Sequence, residues 1–442
     1  MRLKIIIFTG IFLFLFMGKV AISFSYKGED IRNIPTSEFV PLSHKLSNTF
    51  SDNPSTAEID STIKEFMIRR GIIGASLAIT RKGHLIYSKG FGYADEETRE
   101  KVTPESLFRI ASVSKLVTAV AIMKLVEDER LSLDSKVFGP NGILNDPIYQ
   151  HYTDKRVEQI TIHELLNHTA GWSHKKADPL FLSLYIAKKM DVQPPADIHT
   201  IIEYTLQNKL DFTPGTKYSY SNLGYAILGQ VIEKITGMPY EDYVQFAILH
   251  PLGIYDMHIG KSYFDQRLPN EVKYYEPKDE GECYAFDGSD KLVPMSYGGN
   301  NIQLLGAAGG WIASATELIK LVVAIDGFDS KPDILSKKTI REMTESDKRT
   351  KILIGWRGTD GYDTWWRTGT LSGTSALVMR QHNEINWVIL FNTSTDRKSK
   401  IHNDISRTMF QALRHVDNWP DIDLFNDFPV ANHSYLTLNN SK

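Results

Sequence analysis

The pattern of apolar and polar positions predicts strands near both ends of the chain and helices between them. Short apolar runs bounded by turn residues indicate strands, and Lys82-Gly83 marks a turn between the first two. From about residue 130 to residue 300 the pattern is typical of helices and long loops. The predicted strands are Ala75 to Thr80, His84 to Lys89, Ile352 to Trp356, Trp365 to Thr368, Thr374 to Met379 and Trp387 to Phe391. We therefore predict a mixed α/β (α+β) fold, in which both ends of the chain build one antiparallel sheet flanked by helices, with a helical lobe inserted.

The longest apolar run indicates a buried helix. Leu116 to Met123 would be apolar on every face of a helix, so we predict a helix over Ser112 to Glu129 that packs inside the protein. Further helices are predicted over Asp60 to Arg70, Thr316 to Ile325 and His402 to Val416.

Two residues at the start of the buried helix carry candidate chemistry. The hydroxyl of Ser112 would lie near unpaired backbone N–H groups, and Lys115, three residues on, would share its helical face. A buried lysine loses proton affinity and can take a proton from a serine hydroxyl. The pair alone also fits a helix-capping serine beside a solvated lysine, but two further motifs favour the catalytic interpretation.

The second motif is Tyr220-Ser221-Asn222, on a loop between the turn residues Pro214-Gly215 and a helical pattern. A tyrosine there can exchange protons with a nearby serine if a lysine lowers its pKa. The Asn222 amide can hold a substrate carbonyl and the lysine amine together.

The third motif, Arg367-Thr368-Gly369, lies on or beside the edge of a predicted β-hairpin. A cation on such a strand can bind a substrate carboxylate, and glycine lets a ligand approach the backbone. In the alternative interpretation, Arg367 points away from the groove and pairs with a surface carboxylate such as Asp360 or Asp363.

Together the three motifs resemble the serine β-lactamase and DD-peptidase superfamily, most closely its branch of class C β-lactamases, esterases and D-stereospecific peptidases. The resemblance extends from about Ile59 to Leu413 and includes the segments 108–111, 162–171, 251–253 and 308–314. It implies a β-lactamase/transpeptidase-like fold with the active site in the groove between the sheet and the helical lobe.

The resemblance also implies roles for the motif residues. Ser112 is the expected acylated nucleophile, Lys115 helps to activate it, Tyr220 carries the proton, and Asn222 contacts the substrate amide. The backbone N–H groups of Ser112 and Thr370 are the expected oxyanion hole.

The segment Arg367, Thr368 and Gly369 is expected to bind substrate. Arg367 stands where relatives carry Lys or His. Arginine is always charged, so it suits an anionic substrate and cannot act as a base.

The implied function is a serine hydrolase that forms an acyl-enzyme on Ser112 from a D-amino-acid peptide, a β-lactam or a small ester, with no cofactor and no metal. One alternative is a slowly deacylating or non-catalytic module that binds cell-wall peptides or penicillin. Another is a fold kept for a protein–protein role, for which only Arg367 and the polar loop 262–300 give a hint. The oligomeric state stays open.

Composition and spacing argue against other classes of protein. The net charge is −3 with both signs interspersed, so we expect no nucleic-acid partner. Cys283 is the single cysteine, which rules out an intrachain disulfide and a cysteine-based metal site, and we expect an inert loop thiol. His163 and His168 are five residues apart, one too many for the zinc motif in which both histidines share a helical face.

The N-terminus has the pattern of an export signal. Arg2 and Lys4 precede an apolar block from Ile5 to Met17, and Ala21-Ile22-Ser23 offers a small-x-small cleavage site. We expect an exported protein, periplasmic or extracellular, that is either released or anchored in the membrane through residues 5–24. The expected organisation is a signal peptide or anchor (1–24), a linker (25–55), a β-lactamase-like catalytic domain (56–416) and a peripheral tail (417–442).

Overall fold

The computed structural model describes residues 46–173, 177–277, 279–345, 352–395 and 400–426. The strands, numbered in chain order, are β1 (Gly74–Arg81), β2 (His84–Asp95), β3 (Glu100–Lys101), β4 (Phe108–Arg109), β5 (His258–Ile259), β6 (Glu282–Tyr284), β7 (Leu292–Pro294), β8 (Trp311–Ala313), β9 (Gly358–Thr359), β10 (Trp365–Leu371), β11 (Thr374–Arg380) and β12 (Ile385–Phe391). The helices are α1 (Ala57–Arg70), α2 (Ser114–Glu127), α3 (Ile162–Leu166), α4 (Ser183–Met190), α5 (Ile198–Leu206), α6 (Asn222–Thr236), α7 (Tyr240–Val244), α8 (Ile302–Gly309), α9 (Ala315–Val323), α10 (Lys337–Thr344) and α11 (Ile401–Arg414).

The central element is a seven-stranded sheet in the order β3-β2-β1-β12-β11-β10-β9, with every neighbouring pair antiparallel. The strand β1 pairs with β12, so that Ala75 lies opposite Phe391 and Arg81 opposite Ile385. This pairing joins the two ends of the domain and confirms the predicted sheet. Lys82 and Gly83 both have positive φ and form the predicted turn between β1 and β2.

Helices cover both faces of the sheet. On one face, Ile63 of α1 and Met409 of α11 pack in a cluster with Leu77 and Trp387 from the strands. On the other face, α9 lies against β1 and β12, while α2 packs on α6 and α8 in the larger core. All seven residues of β12 are buried, which explains why this strand reads as a continuous apolar run instead of an alternating one.

The predicted strand over Ile352 to Trp356 is wrong. Leu353, Ile354 and Trp356 are buried in the core, but Gly355 has a φ of 79°, which interrupts an extended backbone. The N–H of Ile354 bonds to the carbonyl of Met343 at the end of α10, outside the sheet. A short apolar run fits any buried segment, so its hydrophobicity alone did not identify its conformation.

The domain also extends beyond both predicted boundaries. Leu46, from the predicted linker, is 4 % exposed and belongs to the main core. Leu424, from the predicted tail, is fully buried and its N–H bonds to the carbonyl of Leu85 on β2. The expectation that the chain is peripheral from residue 417 is therefore wrong as far as Phe425. The predicted export segment, 1–24, lies outside the described residues, and within them no helix has the length and apolarity to cross a membrane.

Candidate active site

The candidate nucleophile lies just before the buried helix. A 3-10 turn, Ala111–Val113, leads into α2, so Ser112 lies two residues before the helix and not at its first position as predicted. Ala111 has a φ of 47°, a left-handed conformation that a residue with a side chain rarely adopts. Such strain persists only where the surroundings hold it in place, and it is common at functional sites.

Lys115 is fully buried and its amine is held at three points. The Nζ atom donates to Ser112 Oγ at 3.3 Å, to Asn222 Oδ1 at 2.7 Å, and to the backbone carbonyl of Ala308. Ala308 lies in the last turn of α8, where helix carbonyls have no partner within the helix. Burial lowers the pKa of Lys115, so its amine holds a proton less tightly than the amine of a lysine in water does.

Tyr220 completes a contact triangle with Ser112 and Lys115. Its hydroxyl donates to Ser112 Oγ at 2.7 Å, and the amine of Lys115 lies 4.9 Å from the centre of its ring. Burial raises the pKa of Tyr220, but the positive charges of Lys115 and Arg367 outweigh burial and lower the pKa to about 8. The predicted loop position is confirmed, because α6 begins two residues later at Asn222.

His168 holds the loop that carries Tyr220. Its carbonyl accepts from the N–H of Ser219 at 2.9 Å, and its Nδ1 accepts from the N–H of Ser221 at 3.1 Å. Its ring centre lies 4.5 Å from that of Tyr220. His168 was excluded from a zinc motif by its spacing in the sequence and had no other predicted role. Its position in the 162–171 segment was the available signal, but only the fold brings it against residues 219–221.

Asp178 holds the backbone of Asn222 in place, as His168 does for Ser221. Its Oδ2 accepts from the N–H of Asn222 at 3.0 Å, while its Oδ1 accepts from the N–H of Leu180. One buried carboxylate therefore connects the first residue of α6 to the segment 179–185. No sequence motif pointed to Asp178.

The strand β10 passes directly beside the nucleophile. A Cβ atom on Gly369 would lie 2.2 Å from the carbonyl oxygen of Ile110 and 3.1 Å from the nitrogen of Ser112, so only glycine allows this approach. The next residue, Thr370, is exposed. The strand β9 pairs with β10 only at Trp365 and Trp366, and the edge from 367 onward has no further ladder partner among the described residues.

Arg367 does not lie on the groove surface as predicted. It is 1 % exposed, and its Nε donates to the carbonyl of Ser112 at 2.8 Å. The alternative pairing with Asp360 or Asp363 is also wrong, because Asp360 accepts from the backbone N–H groups of Tyr362 and Thr364, and Asp363 bonds to Arg380. Arg367 therefore lies beneath the nucleophile, where its charge acts on Tyr220 and Lys115. The expectation that it binds a substrate carboxylate has no support from this geometry.

The predicted residues thus converge, apart from the altered position of Arg367. Thr368 is half-buried on the same strand. The rejected zinc motif stays apart, since His163 bonds to Asn167 while His168 faces Ser221. Within the described ranges, no group of three or more His, Cys, Asp or Glu side chains is placed to hold a metal ion.

The fold and these residues define a serine hydrolase of the β-lactamase/transpeptidase superfamily. The chain belongs to the Beta-lactamase family, whose family model matches residues 59–407.

Among curated proteins, the chain is 27 % identical to the esterase EstB of Burkholderia gladioli over 274 residues, which is 57 % of this chain and 67 % of that protein. It is 26 % identical to the protein flp of Staphylococcus aureus over 337 residues, or 74 % of this chain and 61 % of flp. The match thus spans about six tenths of the length of flp.

Two solved structures share the fold. The octameric penicillin-binding protein homologue from Pyrococcus abyssi has a TM-score of 0.59 and 27 % identity, covering 80 % of this chain and 77 % of that one. The D-amino acid amidase from Ochrobactrum anthropi SV3 has a TM-score of 0.63 and 21 % identity, covering 82 % and 99 %.

Proposed function

We propose that this protein hydrolyses small esters, D-amino-acid amides or peptides, or β-lactams through an acyl-enzyme on Ser112. The observation that carries the proposal is the contact of one serine hydroxyl with both Lys115 and Tyr220. The pKa values of Lys115 and Tyr220 are both lowered, and both side chains contact the Ser112 hydroxyl. Nucleophilic catalysis needs such an arrangement to activate a serine.

In the acylation step, unprotonated Tyr220, beside the amine of Lys115, takes the proton from Ser112 as Oγ attacks the substrate carbonyl carbon. The negative charge that develops on the carbonyl oxygen is stabilised by the backbone N–H groups of Ser112 and Thr370. Tyr220 then passes the proton to the leaving oxygen or nitrogen, the bond to the leaving group breaks, and an ester on Ser112 remains.

In the deacylation step, a water molecule gives its proton to Tyr220 and attacks the ester carbonyl. The bond to Ser112 Oγ breaks, the proton returns to Oγ, and the carboxylic acid leaves. Asn222 and His168 contribute by holding the amine of Lys115 and the loop of Tyr220.

The family and the EstB relative support a hydrolase. The alternative, a slowly deacylating penicillin-binding module, draws on the likeness to the Pyrococcus abyssi homologue. Since both would acylate Ser112, they differ only in turnover.

The test combines labelling with turnover. A fluorophosphonate probe should add its mass to the peptide that contains Ser112, and the Ser112→Ala variant should take no label. A panel of a chromogenic ester, a D-Ala-D-Ala peptide and a chromogenic β-lactam should show steady multiple turnover of at least one member. Labelling without turnover would support the alternative, and a label on Ser114 or Ser221 would overturn the assignment.

We also propose that the protein is exported, on the basis of the charged, apolar and small-residue pattern of residues 1–24. N-terminal sequencing of the protein recovered from outside the cytoplasm tests this. A new N-terminus near residue 24 supports cleavage, an intact N-terminus in the membrane fraction supports the anchor, and recovery in the cytoplasm alone overturns export.

A further inference from the structure

Two side chains of the buried helix α2 hold the end of α8. Lys115 and Thr118 lie three residues apart, so they project from the same face of α2. Lys115 donates to the carbonyl of Ala308, and the Thr118 hydroxyl donates to the carbonyl of Ala307 at 2.6 Å. Two consecutive carbonyls of α8 therefore accept from α2, one from the candidate catalytic lysine and the other from a neutral threonine.

The helix α8 gives these carbonyls little support of its own. Gly306 has a φ of 26° and a ψ of −108°, which interrupts the helical conformation just before Ala307. Carbonyls in the last turn of a helix also have no partner within the helix. The position of the Ala308 carbonyl, one of the three acceptors of the Lys115 amine, therefore depends on contacts from outside α8.

A chain of hydrogen bonds leads from Trp311 to this end of α8. The indole Nε1 of Trp311 lies 2.9 Å from the Tyr240 hydroxyl, which lies 2.7 Å from the Thr118 hydroxyl. An indole N–H can only donate and a carbonyl can only accept, so the direction of each bond is fixed. Trp311 donates to Tyr240. Tyr240 donates to Thr118, whose own hydrogen goes to the carbonyl of Ala307.

The side chains of this chain are all buried. Thr118 and Trp311 have no exposed surface, and Tyr240 is 7 % exposed. The rings of Tyr240 and Trp311 pack edge to face with their centres 6.1 Å apart. Removal of one hydroxyl would therefore leave buried polar groups without a partner, which is costly.

The other end of the chain is attached to the residues around the nucleophile. The backbone N–H of Trp311 donates to Ser114 Oγ at 3.1 Å, and the carbonyl of Trp311 accepts from the N–H of Ile110 at 3.0 Å. Ile110 and Ser114 lie two residues before and two residues after Ser112. The chain thus connects the backbone around Ser112 with the carbonyls that hold Lys115.

We infer that Thr118 and Tyr240 are positioning residues for the reaction: they hold the end of α8 so that the Ala308 carbonyl keeps the amine of Lys115 beside Ser112 and Tyr220. This inference rests on the proposed function for its effect on catalysis.

The expected effect follows from the charge of Lys115. Among the described residues, the charged and titratable side chains that surround its amine are Tyr220, Tyr225, Arg367 and Asp178. A protonated amine that loses an acceptor carbonyl holds its proton less tightly, so its positive charge acts less on Tyr220. Without the chain, the pKa of Tyr220 should therefore rise, and less of Tyr220 should be unprotonated at neutral pH.

The first test removes the Thr118 hydroxyl while the shape of the side chain stays nearly the same. In Thr118→Val, kcat/KM should fall about tenfold or more, because small displacements of a catalytic group are costly. The loss should appear in kcat more than in KM, and the acid limb of kcat/KM should move to higher pH. Thr118→Ser, which keeps a hydroxyl, should recover most of the rate.

Thr205→Val is the matched control. Thr205 is also a buried threonine within a helix, but its hydroxyl donates at 2.8 Å to the carbonyl of Ile201 in its own helix, α5. This variant should keep the wild-type rate and acid limb. Tyr240→Phe should change both in the same direction as Thr118→Val, and it replaces that variant if Thr118→Val does not fold. Equal kinetics in Thr118→Val and Thr205→Val would overturn the inference.

The ionisation of Tyr220 can be followed without a substrate. Tyrosine ionisation changes the near-ultraviolet absorbance, and the difference between the titration of a protein and that of its Tyr220→Phe counterpart isolates this residue. The pKa of Tyr220, about 8 in wild type, should be higher in Thr118→Val and unchanged in Thr118→Ser and Thr205→Val. An unchanged or lower pKa in Thr118→Val would overturn the inference.

This titration separates the two proposals. If wild type turns over no substrate and takes no label on Ser112, a raised pKa of Tyr220 in Thr118→Val would support the chain, and only the hydrolase would be overturned. If wild type is active and Thr118→Val keeps both its rate and the wild-type pKa of Tyr220, the hydrolase stands and the positioning role is overturned.

Discussion

The Nδ1 atom of His168 accepts a hydrogen bond from the backbone N–H of Ser221 at 3.1 Å, so a histidine from the end of α3 fixes the residue that follows Tyr220. His168 itself has a φ of 58° and is buried. The position of the tyrosine hydroxyl over Ser112 therefore depends on a side chain that does not touch Ser112.

We expect His168→Ala to lower kcat about tenfold or more with a smaller change in KM, because small displacements of a catalytic group are costly. Asparagine tolerates positive φ and offers an acceptor oxygen, so His168→Asn should recover part of the rate. His163→Ala is the matched control, since His163 bonds to Asn167 instead. Equal losses in the Ala and Asn variants would assign His168 a purely structural role.

The second prediction concerns the proton acceptor. Lys115→Ala and Tyr220→Phe should each slow acylation about 10²-fold or more, the usual size of general-base assistance. The double variant should be little worse than either single one, because the two side chains act on one hydroxyl as a unit. Stopped-flow measurement of leaving-group release checks this, and a fully active double variant would refute the mechanism.

The third prediction follows from the charge of Arg367. Its removal in Arg367→Gln should raise the pKa of Tyr220 above about 8. Since the unprotonated form is the active one, activity falls as pH drops below this pKa, and the acid limb of kcat/KM should move to higher pH. The limb should stay closer to wild type in Arg367→Lys.

Because Arg367 is buried, neutral and anionic esters should lose activity equally in Arg367→Gln. The control is Arg357→Gln, because Arg357 donates its hydrogen bond to the Tyr218 hydroxyl and not to Tyr220. A loss restricted to anionic esters would restore the role in carboxylate binding that the sequence predicted.

The fourth prediction concerns stability. Burial raises the pKa of Asp333 to about 7 and that of Asp326 to about 6. A raised folded-state pKa favours folding below the ordinary pKa near 4, and this stability is lost as pH rises through the folded-state pKa values. The free energy of unfolding should therefore fall between about pH 4 and pH 7.

Asp333→Asn keeps an oxygen that can accept from the N–H of Gly327, without the charge. In urea unfolding at pH 8 it should be more stable than wild type by on the order of 1 kcal/mol, and the difference should vanish near pH 4. Asp329→Asn serves as the control, because Asp329 is exposed. A gain that is independent of pH would rule out the charge as its cause.

The sequence predicted the elements that depend on local patterns. The apolar run after Lys115 could only be a buried helix, and the β1–β2 turn followed from Lys82-Gly83. The sequence could not predict the orientation of Arg367. Trp365 and Trp366 place large apolar groups on both faces of β10, so apolar and polar residues do not alternate in a way that identifies the buried face.

The contacts that position the site residues could not be predicted from the sequence either. Asp178 reaches Asn222 across 44 positions, and His168 reaches Ser221 across 53. Such pairings depend on how the helical lobe folds back on itself, which no local period encodes. The polar loop 262–300, which hinted at a protein–protein role, lines a cavity with Cys283, Tyr284 and Phe286.

Both ends of the chain must meet before Ser112 has its full surroundings. Arg367 bonds to Ser112 across 255 positions, and Gly369 and Thr370 come later still. Closing so long a separation is slow, since a chain must lose much entropy before distant contacts form. During synthesis, Ser112 and Lys115 are therefore present long before the strand residues that complete their surroundings. A chain that stops before β10 has Ser112 without the strand that lies beside it in the folded protein, so the site can assemble only after β10 has been synthesised.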